Sequence, residues 1–481
     1  MLPEYNEGLI MSAAIVSIRT SQDVVDAIND KGARKSNLFI IFVALGGILV
    51  DAYQATMVGF GNSYIAQQFG ISPGIAALVN ASVLVSALIA GLYAQAIANR
   101  FGQKKTFIIG MGLCTIGALG VAFAPNIWMV LICRILMGVG LGIDFPLATT
   151  AVSELKGAKS KKTGGSVNLW QMGWYISTTL VYLVLMLLNF TTIDQPQLWR
   201  YGIFIGGIFA ILVMVLRYTI IGESATWAAR TGKFALAETL LREQYNINAV
   251  TAADATVITT PRSNSLKGAY GVLFTSKYRY RTILGCVVAT MQAWQYNAVG
   301  VYLPLTLAGM LTGGLSYALG GSALVNLLCG VTGGGLGSLF VIKFGARFQA
   351  GWGFAFVTVA LLTLGLLSDV SPLLSLALLG GIIFSHSAGP GGLGMTIATL
   401  SFPPSIRTAA IGFTRAIMRA GAIAGLVLWP MAWGAWKTDA FLILAVIPFI
   451  GAVTCLLIRW DYESADVDSE DEEVMNYISK S

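Results

Sequence analysis

Charge is scarce in this sequence. Only 11% of its 481 residues are Asp, Glu, Lys or Arg, while 56% are hydrophobic; ordinary soluble domains carry about 25% charge. So little charge cannot hydrate a surface of this size. That excludes a disordered, a nucleic-acid-binding or an ordinary cytosolic chain and predicts an integral membrane protein. Histidine is scarcer still, with His386 standing alone. The five cysteines (Cys114, Cys133, Cys286, Cys329, Cys455) all fall in apolar segments. No disulfide framework, metal site, haem or other cofactor is therefore expected. There is no Walker lysine loop and hence no ATP motor. No nucleophile–base–acid grouping points to an enzyme.

What is present is long apolar runs. About 20 apolar residues cross the hydrocarbon core. Such runs fall at 38–65, 74–96, 106–123, 127–152, 166–188 and 201–221, and after a polar interval at 282–311, 316–341, 349–367, 372–400, 416–433 and 440–458. They predict an all-α membrane protein with twelve transmembrane helices in two six-helix bundles, 37–221 and 281–459. Around the bundles lie an N-terminal segment (1–36), a connector (222–280) and an acidic tail (460–481). The 55 glycines suit close helix approach in lipid.

The basic residues support the helix count. Arg19 to Lys35, Arg100 to Lys105, Lys156 to Lys162, the connector, Lys343 to Arg347, Arg407 to Arg415, and Arg459 fall on alternate loops, while the opposite loops carry little besides Arg200 and Lys437. By the positive-inside rule both termini are expected in the cytoplasm, at the plasma (inner) membrane. The net charge of +7 is then loop bias beside anionic lipid rather than a nucleic-acid footprint. Residues 9–18 are too short to span and lack a cleavage site, so no signal peptide is expected. The connector predicts an amphipathic helix over 225–244, and the acidic run 461–473 predicts a disordered tail.

The two halves echo each other. Asn99-Arg-Phe-Gly-Gln-Lys104 aligns with Ile342-Lys-Phe-Gly-Ala-Arg347, and internal repeats mark transporters built from two bundles around a midplane site. Over nearly its whole length the chain resembles the major facilitator superfamily. Residues 99–105 are similar to its gating loop, with Gln95 and Asn99 where Gly and Asp are usual. Arg134 with Gly138, Gly140 and Gly142 resembles the fourth-helix Arg-Gly motif, and Glu154 with Lys161 and Lys162 the cluster after it. Gly222-Glu-Ser-Ala225 with Gly232-Lys233 resembles an altered form of the sugar porters' Pro-Glu-Ser-Pro loop. The resemblance implies gating roles for Arg100, Gly102, Lys104, Glu154, Lys343, Arg347, Arg407 and Arg419.

Two branches share these features. Gln292 and the run from Asn297 to Pro304 are similar to the sugar porters' seventh helix, while Trp294 and Tyr302 also fit the phosphate:proton symporters, with Ala298 where those place Asp. Asp144-Phe145-Pro146 resembles the Asp-Tyr-Pro of phosphate and aromatic-acid symporters. Phe402 to Arg407 and Arg419 to Gly421 are similar to a tenth-to-eleventh helix pattern of several branches, and Gly389-Pro390 lacks the sugar porters' following Pro-Trp, with Leu400 replacing their Glu. The drug antiporters' Gly-rich fifth-helix repeat ending in Gly-Pro is absent, which argues against efflux.

Charges inside a bilayer are expensive and functional by default. The sequence places Asp51 in the first helix, Arg134 and Asp144 in the fourth and His386 in the tenth. Resemblance to proton-coupled sugar porters pairs Asp51 with Arg134, either as a proton-coupling element or as a static ion pair. Asp144, about 80° around the helix from Arg134, is expected in the cavity as a second proton or substrate site, or in a charge network with Glu154. His386 can titrate near neutral pH or can simply pack. Substrate contacts are expected from Asn168, Gln171 and Trp174 on the fifth helix, from Gln292, Trp294, Gln295, Tyr296, Asn297 and Tyr302 on the seventh, and from His386. Carboxamides both donate and accept hydrogen bonds, which suits hydroxyl-rich solutes. The expectation is a monomeric secondary transporter in the lipid bilayer. It takes up a small polar organic solute, sugar, polyol or organic acid, with protons by alternating access. The alternatives are a symporter of phosphate or another anion, or a uniporter or exchanger. One cation against two carboxylates favours a sugar over an anion.

Overall fold

The structure is a computed structural model and describes residues 15–30, 38–156, 163–256, 265–308, 314–367 and 372–480. The first half comprises α2 (Leu38–Ala44), α3 (Gly46–Phe69), α4 (Pro73–Phe101), α5 (Gln103–Ala122), α6 (Ile127–Lys156), α7 (Thr163–Asn189) and α8 (Leu198–Ile220). Before it stand β1 (Val16–Ile18) and α1 (Ser21–Asp30), and after it come α9 (Ala225–Arg230), α10 (Phe234–Tyr245), β2 (Ala249–Thr251) and α11 (Ser265–Leu273). The second half comprises α12 (Arg279–Val299), α13 (Leu303–Ala308), α14 (Gly314–Val325), α15 (Thr332–Phe344), α16 (Ala346–Leu366), α17 (Pro372–Ala388), α18 (Pro390–Leu400), α19 (Pro404–Trp436) and α20 (Ala440–Leu457). The chain ends in α21 (Asp471–Lys480).

These helices form twelve spans. Among the described residues nine helices, or ten counting a bent pair, are long and apolar enough to cross a membrane. The bent pair is α2 with α3, angled by 56°. The 54-residue stretch Pro404–Leu457 is two spans, since α19 and α20 are separated by a 3-10 turn at Lys437–Asp439. The remaining span is α12 continued by α13. It is less apolar than the others because it carries Gln292, Gln295 and Asn297, of which Gln292 and Asn297 line an internal cavity. The eighth span is α14 and α15 joined by a π-helical turn, Asn326–Val331, and the tenth is α17 and α18, broken at Gly389-Pro390.

Local chemistry explains the turns. Ser72 caps α4 by accepting from the Ile75 N–H at 3.3 Å, with Pro73 at the first helical position. The repeated Phe-Gly dipeptides make the same turn in both halves: Gly102 (φ 90°, ψ 160°) joins α4 to α5, and Gly345 (φ 78°, ψ 150°) joins α15 to α16. Only glycine adopts that backbone without strain. The sequence repeat is thus a repeat of backbone geometry.

Two expectations change at the face carrying the connector. The 225–244 segment is two helices rather than one, parted at Thr231–Lys233, with Ser224 capping α9 at the Trp227 N–H (3.1 Å). α9, α10 and the residue Ile247 after them bury Ala228, Leu240, Leu241 and Ile247 against Ile18, Val24 and Ile28 of the N-terminal segment, while β1 pairs in parallel with β2. Connector and N-terminal segment therefore share one small core. Residues 9–14 of the apolar stretch 9–18 lie outside the described residues. The tail is ordered rather than disordered over the described residues. Val474 and Ile478 of α21 pack with Leu273, Tyr278, Phe402 and Ile406. Its acids find cations: Asp461 pairs with Arg347 (3.1 Å), Asp468 with Arg407 (2.7 Å) and Glu470 with Arg281 (2.8 Å). A high acidic content predicts disorder only where nothing neutralises it.

Candidate functional site

The functional groups converge where the two halves meet. Asp51, 3% exposed, lies in α3 just beyond the bend of the first span. It accepts from Arg415 Nη2 at 2.8 Å and from Arg419 Nη2. The two arginines are four residues apart on α19, on one helix face, so a single carboxylate from the other half reaches both. The Arg415 guanidinium lies over the Phe145 ring, 3.7 Å from its centroid. The expected Asp51–Arg134 pair is therefore not formed in this structure. Arg134 is 2% exposed, and its Nε and Nη2 have no hydrogen-bond partner among the described residues.

Asp144 is 1% exposed and pairs with Arg217 of α8, whose Nη1 donates to Oδ1 and whose Nη2 lies 3.2 Å from Oδ2. Asp144 is not among the residues that line the cavity, and the Glu154 side chain lies outside what the structure describes. Arg217 also closes the break in the first span. Because the Ile48 N–H turns to the Leu45 carbonyl (2.8 Å), the Ala44 carbonyl loses its helical partner and accepts from Arg217 Nη2 at 2.6 Å; Val43 O accepts from Nε at 3.1 Å. One side chain thus ties α2, α6 and α8 together.

Between the halves lies a cavity of two adjoining chambers, with Ala55, Leu84, Asn297 and Val301 belonging to both. Asp51, Gln54, Asn62, Arg134 and Tyr302 line one. Gln171, Trp174, Gln292, Tyr296 and His386 line the other, with Arg415 and Arg419. Trp174 Nε1 donates to Tyr296 Oη at 3.0 Å, closing an aromatic contact across the halves. His386 is fully partnered: its Nε2 meets Gln292 Oε1 at 2.8 Å and its Nδ1 meets Tyr175 Oη at 2.9 Å. An amide oxygen only accepts, so the proton sits on Nε2 and Tyr175 donates to Nδ1. Tyr296 stacks on the imidazole, with centroids 5.0 Å apart.

Seven of the ten expected substrate residues line this cavity: Gln171, Trp174, Gln292, Tyr296, Asn297, Tyr302 and His386. Three do not. Asn168 accepts from Thr396 on α18 (3.4 Å), Trp294 packs on the apolar core of the second half, and Gln295 is buried without lining the cavity. Of the expected gating groups, Arg347 and Arg407 are held by the tail, while Lys104 and Lys343 lie over the rings of Tyr218 and Phe344. Arg100 lies over Phe101. Arg419 lines the cavity and donates to Asp51 across the two halves. The Glu154 side chain and Lys161 and Lys162 lie outside what the structure describes. At the Gly102 turn Glu223 Oε1 accepts from the N–H groups of Gln103 (2.8 Å) and Lys104 (3.2 Å), so a connector carboxylate caps α5.

Sequence reading missed Arg217, Arg415, Gln54 and Glu223. The signal for Arg415 was its spacing from Arg419 in an apolar stretch. Starting the eleventh helix at 416 instead of Pro404 hid it.

Comparison with known proteins agrees with this architecture. The chain is 25% identical over 424 residues to the inner membrane metabolite transport protein YgcS of Escherichia coli, covering 87% of this chain and 90% of that one. It is 21% identical to the niacin transporter NiaP of Acinetobacter baylyi over 84% of this chain and 89% of that one. The proton:xylose symporter XylE superposes with a TM-score of 0.75 at 19% identity, over 92% of this chain and 99% of that one, a likeness of fold. The model of the sugar (and other) transporter family matches residues 15–462. The chain belongs to that family: it is a multi-pass membrane transporter of the major facilitator, sugar-porter type.

Proposed function

We propose that this protein takes up a small polar organic solute together with protons, as a monomer in the plasma membrane, with the connector face and both termini in the cytoplasm. The carrying observation is the ion cluster of Asp51 with Arg415 and Arg419. It joins the first half to the second, and it does so on the wall of the cavity. Protonation of Asp51 removes the negative charge that holds the two arginines, loosening one half from the other. Re-formation of the cluster expels the proton on the other side. A solute shifts this two-state balance only through its different affinity for the two facings. Trp174 with Tyr296, and the tail-held Arg347 and Arg407, act as closures above and below the site.

The test uses tight proteoliposomes holding a pH dye and carrying an inward proton gradient. Solute addition acidifies the lumen of wild-type vesicles. Asp51→Asn vesicles lose gradient-driven accumulation but keep radiolabelled counterflow, which also shows that the variant is folded. Undiminished gradient-driven accumulation by Asp51→Asn refutes the coupling role.

A further inference from the structure

The charge count of the buried interior differs from the one the sequence suggests. Among the described residues six guanidinium groups are buried in the span helices; Arg281 and Arg407 pair with the tail carboxylates Glu470 and Asp468, which leaves Arg134, Arg217, Arg415 and Arg419 against two carboxylates, Asp51 and Asp144. Arg217 and Asp144 neutralise each other, and Asp51 is divided between Arg415 and Arg419. The interior keeps an excess of two positive charges, and Arg134 carries one of them with no ion-pair partner among the described residues. A buried cation of this kind is costly unless something anionic completes it.

The unpartnered atoms are specific. Nε and Nη2 of Arg134 are the two donors that point in parallel from one edge of a guanidinium, the fork that receives both oxygens of a carboxylate. Beside Arg134 in the same chamber, Gln54 is 2% exposed, and neither its Nε2 nor its Oε1 has a partner. A carboxamide and a guanidinium that line one chamber and carry buried, unpartnered polar atoms are an incomplete hydrogen-bond set. A neutral sugar would satisfy the hydrogen bonds and leave the charge.

Resting on the transport reading above, we propose that the solute is an organic anion whose carboxylate is gripped by the Nε/Nη2 edge of Arg134, with Gln54 completing the contact. The adjoining chamber, walled by Trp174, Tyr296 and His386, receives the body of the molecule.

The experiment titrates the purified full-length protein by tryptophan fluorescence. One series is benzoate, nicotinate and lactate; a second is their uncharged amides; a third is xylose, glucose and myo-inositol; a fourth is inorganic phosphate. Proteoliposome acidification is read with the same compounds. Binding and acidification by one or more carboxylates but not by the matching amide support the proposal. Arg134→Gln then weakens that binding at least about tenfold, the loss expected for a charged hydrogen-bonded contact, and Arg134→Lys recovers part of it. Because Nε and Nη2 of Arg134 have no hydrogen-bond partner among the described residues, the ligand-free melting temperature of Arg134→Gln stays at or above wild type, which separates loss of a ligand contact from loss of folding. Sugar-driven acidification with silent carboxylates overturns the proposal and leaves proton-coupled uptake standing. Response to phosphate alone, or equal response to acid and amide, overturns it too. Silence in every series removes both readings.

Discussion

Replacing Arg217 by methionine removes the side chain that holds the first span, the fourth and the sixth together. The Asp144 carboxylate, 1% exposed, then stays buried without a cation. Truncating one partner of a buried ion pair costs about 3–5 kcal/mol. The Val43 and Ala44 carbonyls also lose their donor, at about 1–3 kcal/mol for each unpaired group. These terms share one side chain and do not simply add. A loss on the order of 5 kcal/mol is expected, a large share of a typical folding free energy of about 5–15 kcal/mol. Adding Asp144→Asn removes the stranded charge but not the open carbonyls, so the double variant regains about 3–5 kcal/mol. Equilibrium unfolding in mixed micelles, run as a double-mutant cycle, measures both numbers. A single variant within about 1 kcal/mol of wild type, or a double variant no better than the single, refutes the claim that Arg217 serves both the carboxylate and the bend.

Gly47→Ala puts a Cβ into the Asp144 carboxylate, and the resulting overpacking should cost about 1–3 kcal/mol, read as a lower melting temperature. Tyr175→Phe leaves His386 Nδ1 without its donor; the variant should lose about 1 kcal/mol while keeping its fold by circular dichroism. Burial alone would raise the Glu470 carboxyl, but hydrogen bonds from Arg281 and Tyr278, with the charges of Arg281 and Lys277, hold it below the ordinary glutamate range. A depressed carboxyl stabilises the docked tail above its unfolded pKa and stops doing so as pH falls through the folded one. The hydrogen-exchange protection factor over 471–480, taken against the intrinsic rate at each pH, should therefore stay high at neutral pH and fall below the usual glutamate range. In Glu470→Gln it should already be low at pH 7, and unchanged protection there would show that Val474 and Ile478 alone hold the tail.

Much of the architecture was legible in the sequence because it is written locally. A span is a run of contiguous apolar residues, and the twelve runs became twelve spans. The paired Phe-Gly dipeptides announced a repeat because each needs a backbone that only glycine adopts. Boundaries were less legible. The eleventh helix begins at Pro404, before its apolar run, and that one error concealed Arg415 among the loop cations. The tail was misread for a related reason, since acidic composition is a local property, while neutralisation by Arg281, Arg347 and Arg407 is not.

Charge pairing was not written locally at all. Asp51 binds arginines 364 and 368 residues further on, and Asp144 binds one 73 residues away. Which of several buried cations meets a given carboxylate depends on how each helix is rotated and raised against its neighbours. No periodicity within a single span encodes that. The sequence alone determined a twelve-span transporter with a polar, aromatic seventh helix, because helix length and apolarity are properties of consecutive residues. Only the tertiary structure decided that Asp51 joins the two halves and that Arg134 lines the cavity with no ion-pair partner among the described residues, because ion pairing is settled by the packing of helices against one another.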